Sequence, residues 1–150
     1  MRREAIESEA ARFRTATEDY VRRHPDDRFT TDFANPFRGS FPVGCCKSTS
    51  WMLGHHLTRL GEAGEISFVS GRRAQETHIW LVVDGFIVDL TADQFADENR
   101  PVIVVATGES AWHDTFKPHR SFPFNVPSHH PSYIRSVKIT ALMPAVTDAG

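Results

Sequence analysis

The sequence predicts an α+β domain in which a central helix packs on an antiparallel sheet and an extra helix precedes both. Three observations favour this class: an amphipathic helical pattern over residues 4–23, a second one over residues 46–60, and four strand-like segments within residues 66–105. A leading helix and one central helix packed on a short antiparallel meander form an α+β layout.

The composition limits the classes of function that this chain can have. Its 150 residues suit one domain, and 40% hydrophobic with 24% charged residues is ordinary for a globular protein. A net charge of -2 argues against a dedicated nucleic-acid binder. No apolar run reaches the ~18 residues of a membrane helix, and no hydrophobic stretch follows the basic N-terminal residues as in a secretory signal. We therefore expect no membrane partner and a cytoplasmic location.

The first helix is predicted over residues 4–23, and His24-Pro25 ends it because proline disfavours a helical residue before it. Residues 26–44 are loop-like but rich in phenylalanine, so we expect them to pack onto the body of the domain. The expected core spans about 42–106, with an irregular C-terminal extension over 107–150. The stripe that the first helix should bury recurs at steps of three and four: Ile6, Ala10, Phe13, Thr17 and Tyr20.

The second helix is predicted to begin at Cys46 and to end at Leu60. Leu53, Leu57 and Leu60 form its apolar stripe, and Gly61 stands where a left-handed residue closes a helix.

Strands are predicted over residues 66–70, 77–83, 86–90 and 102–105. Asp84-Gly85 between the second and third predicts a hairpin with a two-residue turn. Residues 107–133 are expected to be irregular, and residues 134–143 to add a late edge strand.

The chain has two cysteines, Cys45 and Cys46, which are neighbours. Their Cα atoms lie ~3.8 Å apart, whereas disulfides span ~4.4–6.8 Å, so thiol chemistry is expected instead. Cys46 opens the second helix, where unpaired backbone N–H groups and the helix dipole favour a thiolate. A nucleophilic thiol also needs a base and a group that orients the base.

The predicted hairpin supplies both groups. A two-residue turn at Asp84-Gly85 pairs residues whose numbers sum to 169, so His78 faces Thr91 and Asp89 faces Trp80. His78 and Asp89 are then diagonal neighbours on one face, ~7–8 Å apart at Cα. This distance allows an imidazole–carboxylate hydrogen bond.

These residues resemble the transglutaminase-like branch of the papain-like cysteine enzymes. The resemblance covers about residues 42–95 and implies a papain-like core with Cys46 as nucleophile, His78 as general base and acid, and Asp89 as the orienter of His78. Alignment from Gly61 favours Cys46 over Cys45. The motifs that carry it are Gly44-Cys45-Cys46, Gly61, Phe68-Val69-Ser70-Gly71, His78-Ile79-Trp80 and Asp89-Leu90-Thr91. The chain also resembles uncharacterised bacterial proteins that share Gly-Cys-Cys and the run from Asp89 to Phe95.

The resemblance implies a cysteine-dependent hydrolase of the thiol protease or amidase type, acting on a peptide or protein amide through a Cys46 thioester and without a cofactor. Transglutaminase, deamidase or N-acyltransferase chemistry stays open, because nothing in the residues selects water or an amine as acceptor. A rival hypothesis is an interaction module with a dormant triad that binds through residues 107–134.

Four further residues are candidates for substrate contact: Trp80, Cys45, Asn35 and Trp112. Packing over the triad is the favoured alternative for Trp80. Trp112 belongs to an aromatic set that either walls a groove or forms a satellite core: Trp112, Phe116, Phe122, Phe124 and Tyr133. Papain-like enzymes often place a glutamine before the cysteine for the oxyanion, but none precedes Cys46 here. The Cys46 backbone N–H is the expected first donor, and either Asn35 or the N–H of a neighbouring loop residue is the candidate for the second.

Some of the remaining histidines are possible metal ligands. The spacing of His113, His119, His129 and His130 matches no zinc pattern, so no metal site is expected. His55 and His56 are expected at the flank of the second helix.

Overall fold

A computed structural model describes residues 1–27, 41–42 and 44–146, and it confirms the α+β class. The described strands form one antiparallel sheet in the order β4-β3-β2-β1-β5. The elements are α1 (Arg3–Arg23), α2 (Cys46–Leu60), β1 (Ile66–Arg73), β2 (Glu76–Val83), β3 (Phe86–Asp89), β4 (Ile103–Ala106), β5 (His119–Pro123) and α3 (Pro131–Thr140), with short 3-10 helices at Ala92–Gln94 and His113–Thr115.

Both predicted helices are present, and α2 has the predicted bounds. Every residue of the predicted α1 stripe is buried, and Gly61 closes α2 in the left-handed conformation at φ 77°. In α2, Leu53 and Leu57 are buried as predicted, but Leu60, in the last turn, is exposed. Although α1 has 21 residues, it is amphipathic, and no helix in the described ranges is long and apolar enough to cross a membrane. In the predicted loop, Phe41 packs against the core below α1; Phe29, Phe33 and Phe37 lie outside the described residues.

The β2–β3 hairpin has the predicted register. Val83 pairs with Phe86 and Leu81 with Val88, and both turn residues have positive φ, 48° at Asp84 and 84° at Gly85. Such a turn twists in the same sense as the strands it joins. The register therefore follows from the turn residues alone.

Strand alternation divides the apolar residues between the two faces of the sheet. Leu81, Val83 and Val88 face the helices and join the larger core with Phe13 and Leu53. On the opposite face, a smaller cluster contains Val69, Trp80, Ile87, Phe95 and Phe116, with Trp112 packed against it.

The C-terminal predictions were wrong. Residues 134–143 do not form a strand: Pro131–Thr140 is α3, whose buried residues Ser132, Ser136 and Ile139 recur at helical steps. Two of these are serines, so the buried stripe lacked the apolar pattern that signals a helix, while Ile134 and Val137 are exposed. β5 was missed because all of its side chains are exposed and it pairs only with β1 at the sheet edge.

Candidate active site

The two neighbouring cysteines lie in different environments. Cys45 precedes α2, is 3% exposed and belongs to the helix-side core. Burial, reinforced by the adjacent Cys46, raises the pKa of the Cys45 thiol to about 12. Cys46 is the first residue of α2, is 8% exposed, and interacts with His78, whose pKa it helps to raise. Gly44 before them adopts φ 72°, a left-handed conformation that suits glycine.

His78 and Asp89 form the hydrogen bond that the hairpin register predicts. His78 Nε2 lies 2.6 Å from Asp89 Oδ2, and the backbone N–H of Thr91 donates to Asp89 Oδ1 at 3.0 Å. Both side chains are buried. Because Nε2 is engaged by Asp89, Nδ1 is the ring nitrogen left to face the Cys46 sulfur.

His78 and Asp89 each stabilise the charged form of the other. Burial opposes protonation of His78, but Asp89 and then Cys46 outweigh it and raise the pKa of His78 to about 9. Burial likewise opposes ionisation of Asp89, yet the charge of His78 and the hydrogen bonds from His113 and His78 hold the pKa of Asp89 well below its usual range. The buried carboxylate therefore stabilises the imidazolium that forms when His78 accepts a proton.

Sequence reasoning missed the partnership of His113 with Asp89. His113 Nε2 lies 2.7 Å from Asp89 Oδ2, and its Nδ1 lies 2.6 Å from Ser110 Oγ. The ring is fully buried, and its centroid lies 6.2 Å from that of the His78 ring. No spacing rule links residue 113 to residue 89, so only the tertiary structure identifies this contact.

Gln94 was also missed. Its Oε1 accepts the Gly44 N–H at 3.2 Å, while its Nε2 lies 3.3 Å from His78 Nδ1 and donates to Thr91 Oγ1 at 3.3 Å. A side-chain amide was expected before Cys46, whereas Gln94 follows Asp89. The 3-10 helix Ala92–Gln94 turns the chain back to the site directly after β3, and a turn at this place is the feature from which Gln94 could have been predicted.

Aromatic rings enclose His78. Its ring centroid lies 4.9 Å from that of Phe95, 5.4 Å from Phe116, 5.5 Å from Trp80 and 5.6 Å from Trp112. Packing of this kind lowers the local dielectric around the charged pair.

The four substrate-contact candidates have different outcomes. Trp80 is 1% exposed and packs against His78, and it also lines a cavity with Val69 and His119; Cys45 is buried in the helix-side core. Trp112 is partly exposed above His78, and its Nε1 donates to Asp97 at 3.3 Å. Asn35 lies outside the described residues.

The five aromatic residues that were predicted to form one groove wall or one satellite core lie in different parts of the structure. Trp112 and Phe116 join the far-face cluster, whereas Phe124 packs against the helix-side core, Tyr133 lies against His55, and Phe122 is exposed.

One group among the described residues has metal-ligand chemistry: His78, Asp89 and His113, whose ligand atoms lie within 4.8 Å of one another. Both Nε2 atoms already donate directly to Asp89 Oδ2. Zinc requires ~2.0–2.2 Å to each nitrogen or oxygen ligand and usually four ligands, so an ion here would have to break both hydrogen bonds.

The other loop histidines do not join this group. His119 Nε2 donates to the His113 carbonyl at 3.0 Å, His129 is exposed, and His130 caps α3 by accepting from the Ser132 N–H. His55 and His56 are not at an exposed flank as expected; both are buried between α2 and α3, because small hydroxyl side chains of α3 face them.

No protein-family model, curated protein or solved structure matches the chain. The chemistry is therefore argued from the geometry. A thiol, an imidazole and a carboxylate connected by hydrogen bonds can pass a proton from sulfur to nitrogen and hold the resulting ion pair away from water.

Proposed function

We propose that this protein is a cysteine-dependent acyl-transfer enzyme, related to the transglutaminase-like branch of the papain-like enzymes, that hydrolyses a peptide or isopeptide-type amide. One observation carries the proposal: His78, whose Nε2 donates to the buried Asp89 at 2.6 Å, also interacts with Cys46 at the first position of α2.

In the first half of the reaction, His78 takes the Cys46 proton and the thiolate attacks the amide carbonyl carbon. The C–N bond then breaks, the leaving amine takes the proton from His78, and a Cys46 thioester remains. Asp89 contributes by fixing the tautomer that directs Nδ1 at the sulfur and by stabilising the imidazolium.

In the second half, His78 removes a proton from water, whose oxygen attacks the thioester carbonyl. The C–S bond breaks, the carboxylic acid leaves, and the proton returns to Cys46. An amine in place of water would give transglutaminase or N-acyltransferase chemistry by the same steps, and a glutamine side chain as substrate would give deamidation. Hydrolysis is preferred because the chain is small and has no amine-binding or CoA-binding signature.

Two donors are assigned to the oxyanion that forms in each half. The first is the backbone N–H of Cys46, which benefits from the helix dipole. The second is the Gln94 side-chain amide, whose Nε2 lies 3.3 Å from His78 Nδ1. Gln94 replaces Asn35 as the proposed second donor.

A second candidate function is an interaction module with a dormant triad. The low exposure of Cys46, at 8%, favours it, as does Phe122, 51% exposed on the edge strand β5 within the segment 107–134. Thiol reactivity separates the two hypotheses, because a dormant thiol has no need of an activated state.

The decisive experiment compares the two adjacent thiols. Wild type is incubated with an activated ester, the acylated residue is identified by mass spectrometry, and turnover is measured for Cys46→Ala with Cys45→Ala as the matched control. We expect an acyl group on Cys46, loss of turnover in Cys46→Ala, and turnover retained in Cys45→Ala. A hydroxamate formed when hydroxylamine is added would show that an amine intercepts the thioester.

Acylation of Cys45, or of both cysteines equally, would overturn the assignment of the nucleophile. No acylation, together with slow iodoacetamide alkylation of Cys46, would favour the interaction module.

A further inference from the structure

Asp89 is shared by two histidines. Its Oδ2 lies 2.6 Å from His78 Nε2 and 2.7 Å from His113 Nε2, and its Oδ1 accepts the Thr91 N–H. An ionised carboxylate only accepts hydrogen bonds, so both Nε2 atoms must carry a hydrogen. The proposed reaction uses His78 and gives no role to His113.

The second histidine has a hydrogen-bond partner at each ring nitrogen. Its Nε2 donates to Asp89, its Nδ1 lies 2.6 Å from Ser110 Oγ, and Ser110 Oγ accepts the His113 backbone N–H at 3.2 Å. His113 therefore gives Asp89 a second hydrogen bond, and Ser110 holds the ring that donates it.

The fold fixes the His113 ring through contacts from several segments. His119 donates to its carbonyl, and the rings of Trp80 and Trp112 lie 4.7 and 4.9 Å from it between centroids. Gly71, which pairs with His78 across β1 and β2, lets the segment from His113 to Phe116 approach the sheet. A Cβ at residue 71 would lie 2.6 Å from the Phe116 carbonyl oxygen.

We propose that His113 is a positioning residue for the Cys46 reaction: its Nε2–H holds the Asp89 carboxylate in the orientation that directs His78 at the thiol, and Ser110 sets the tautomer of His113. This inference rests on the proposed function. It extends the triad by two residues that contact neither the sulfur nor a substrate.

The test uses the alkylation rate of Cys46 by iodoacetamide across pH, which needs no knowledge of the substrate. His113→Phe keeps a ring but removes the donor, whereas His113→Gln keeps an N–H at similar reach. Since a hydrogen bond to a charged group is worth more than a neutral one, we expect His113→Phe to slow alkylation at neutral pH roughly 10- to 100-fold and to move the pH profile toward that of Asp89→Asn. His113→Gln should recover most of the rate.

The matched control is His55→Phe. His55 is also buried and also bonded to a serine hydroxyl, Ser132 Oγ at 3.0 Å, but it does not contact Asp89. We expect it to leave the alkylation profile unchanged. If His113→Phe does not fold, Ser110→Ala replaces it, with a smaller shift of the profile in the same direction.

Proton and ¹⁵N NMR of the imidazoles provide a readout that a purely structural role would not move. Wild type should give two far-downfield imidazole N–H protons, and His113→Phe should lose one and shift the other. A His113 tautomer protonated at Nδ1, or a folded His113→Phe with the wild-type alkylation profile, would overturn the inference. Failure of the proposed function would look different: the activated ester would not acylate Cys46 in wild type, whatever residue 113 is.

Discussion

The domain buries two pairs of histidines, His55 and His56 on α2 and His78 and His113 beside Asp89, and the pKa of His78 shifts in the opposite direction to those of His55 and His56. On α2, burial and then the nearby Arg59 lower the pKa of His55 to about 4, and burial lowers the pKa of His56 despite the opposing Glu9. At the other pair, the pKa of His78 is raised to about 9, although its ring is at least as well buried.

The difference lies in the partner. His55 bonds to a serine hydroxyl, which offers no charge. His56 bonds to Glu9 at 2.8 Å, but that side chain is 15% exposed, against 1% for Asp89. Coulomb attraction grows as the local dielectric falls, so a carboxylate that is itself buried outweighs the desolvation of the ring. Burial alone thus says little about whether a histidine can serve as an acid.

The largest effect is expected from removing the negative charge of Asp89, the buried carboxylate beside His78 and His113. Asp89→Asn keeps the size of the side chain, so the fold should survive, while turnover of an activated ester should fall by roughly 10⁴-fold, as in other triads. Steady-state kinetics checks this, with Asp93→Asn as the control because Asp93 pairs with Arg14 away from His78. A wild-type rate in Asp89→Asn would show that the carboxylate has no catalytic role.

The raised pKa of His78 predicts a stability that decreases with pH. The folded-state pKa of about 9 lies above the ordinary 6.5, so the stabilisation is fully present below 6.5 and is lost as pH rises through 9. The difference in unfolding free energy between wild type and His78→Gln should therefore shrink by on the order of 1–3 kcal/mol over that window. Urea denaturation below and above it measures the change. A constant difference would show that His78 binds its proton no more tightly when folded.

His55 should show the opposite slope and a smaller effect. Its folded-state pKa of about 4 lies below 6.5, so the unfolded chain binds the proton first and stability falls as the pH drops from 6.5 toward 4. We expect wild type to lose roughly 1–2 kcal/mol relative to His55→Gln in this window. Urea denaturation of both proteins tests this, and a parallel pH dependence would mean that Ser132 and Arg59 do not keep the ring neutral.

The smallest effect is expected from a chelator. Both Nε2 atoms that could bind an ion already donate to Asp89, so exhaustive dialysis against a chelator should leave Cys46 alkylation unchanged. Loss of reactivity that zinc restores would instead assign His78, Asp89 and His113 to a metal.

Local pattern was sufficient to predict the residues of the proposed triad, because each part of it is a short-range feature. Gly61 and the leucine pattern defined α2 and so placed Cys46 at its start, and the Asp84-Gly85 turn fixed the register that brings His78 to Asp89. Both follow from backbone sterics within a few residues. The preference for Cys46 over Cys45 came from the sequence as well, through the position of the helix start, and stays a prediction.

What only the tertiary structure decided are contacts between segments distant along the chain. His113 reaches Asp89 from 24 residues away, α3 is helical because its serine-lined face packs on α2, and β5 exists because β1 offers a free edge. None of these has an apolar period or a turn motif of its own, since hydroxyls and histidines become buried only when another element supplies their hydrogen-bond partners. The sequence by itself therefore determined the β2–β3 hairpin and the helix α2 that begins at Cys46. Long-range packing determined which side chains surround the Asp89 carboxylate.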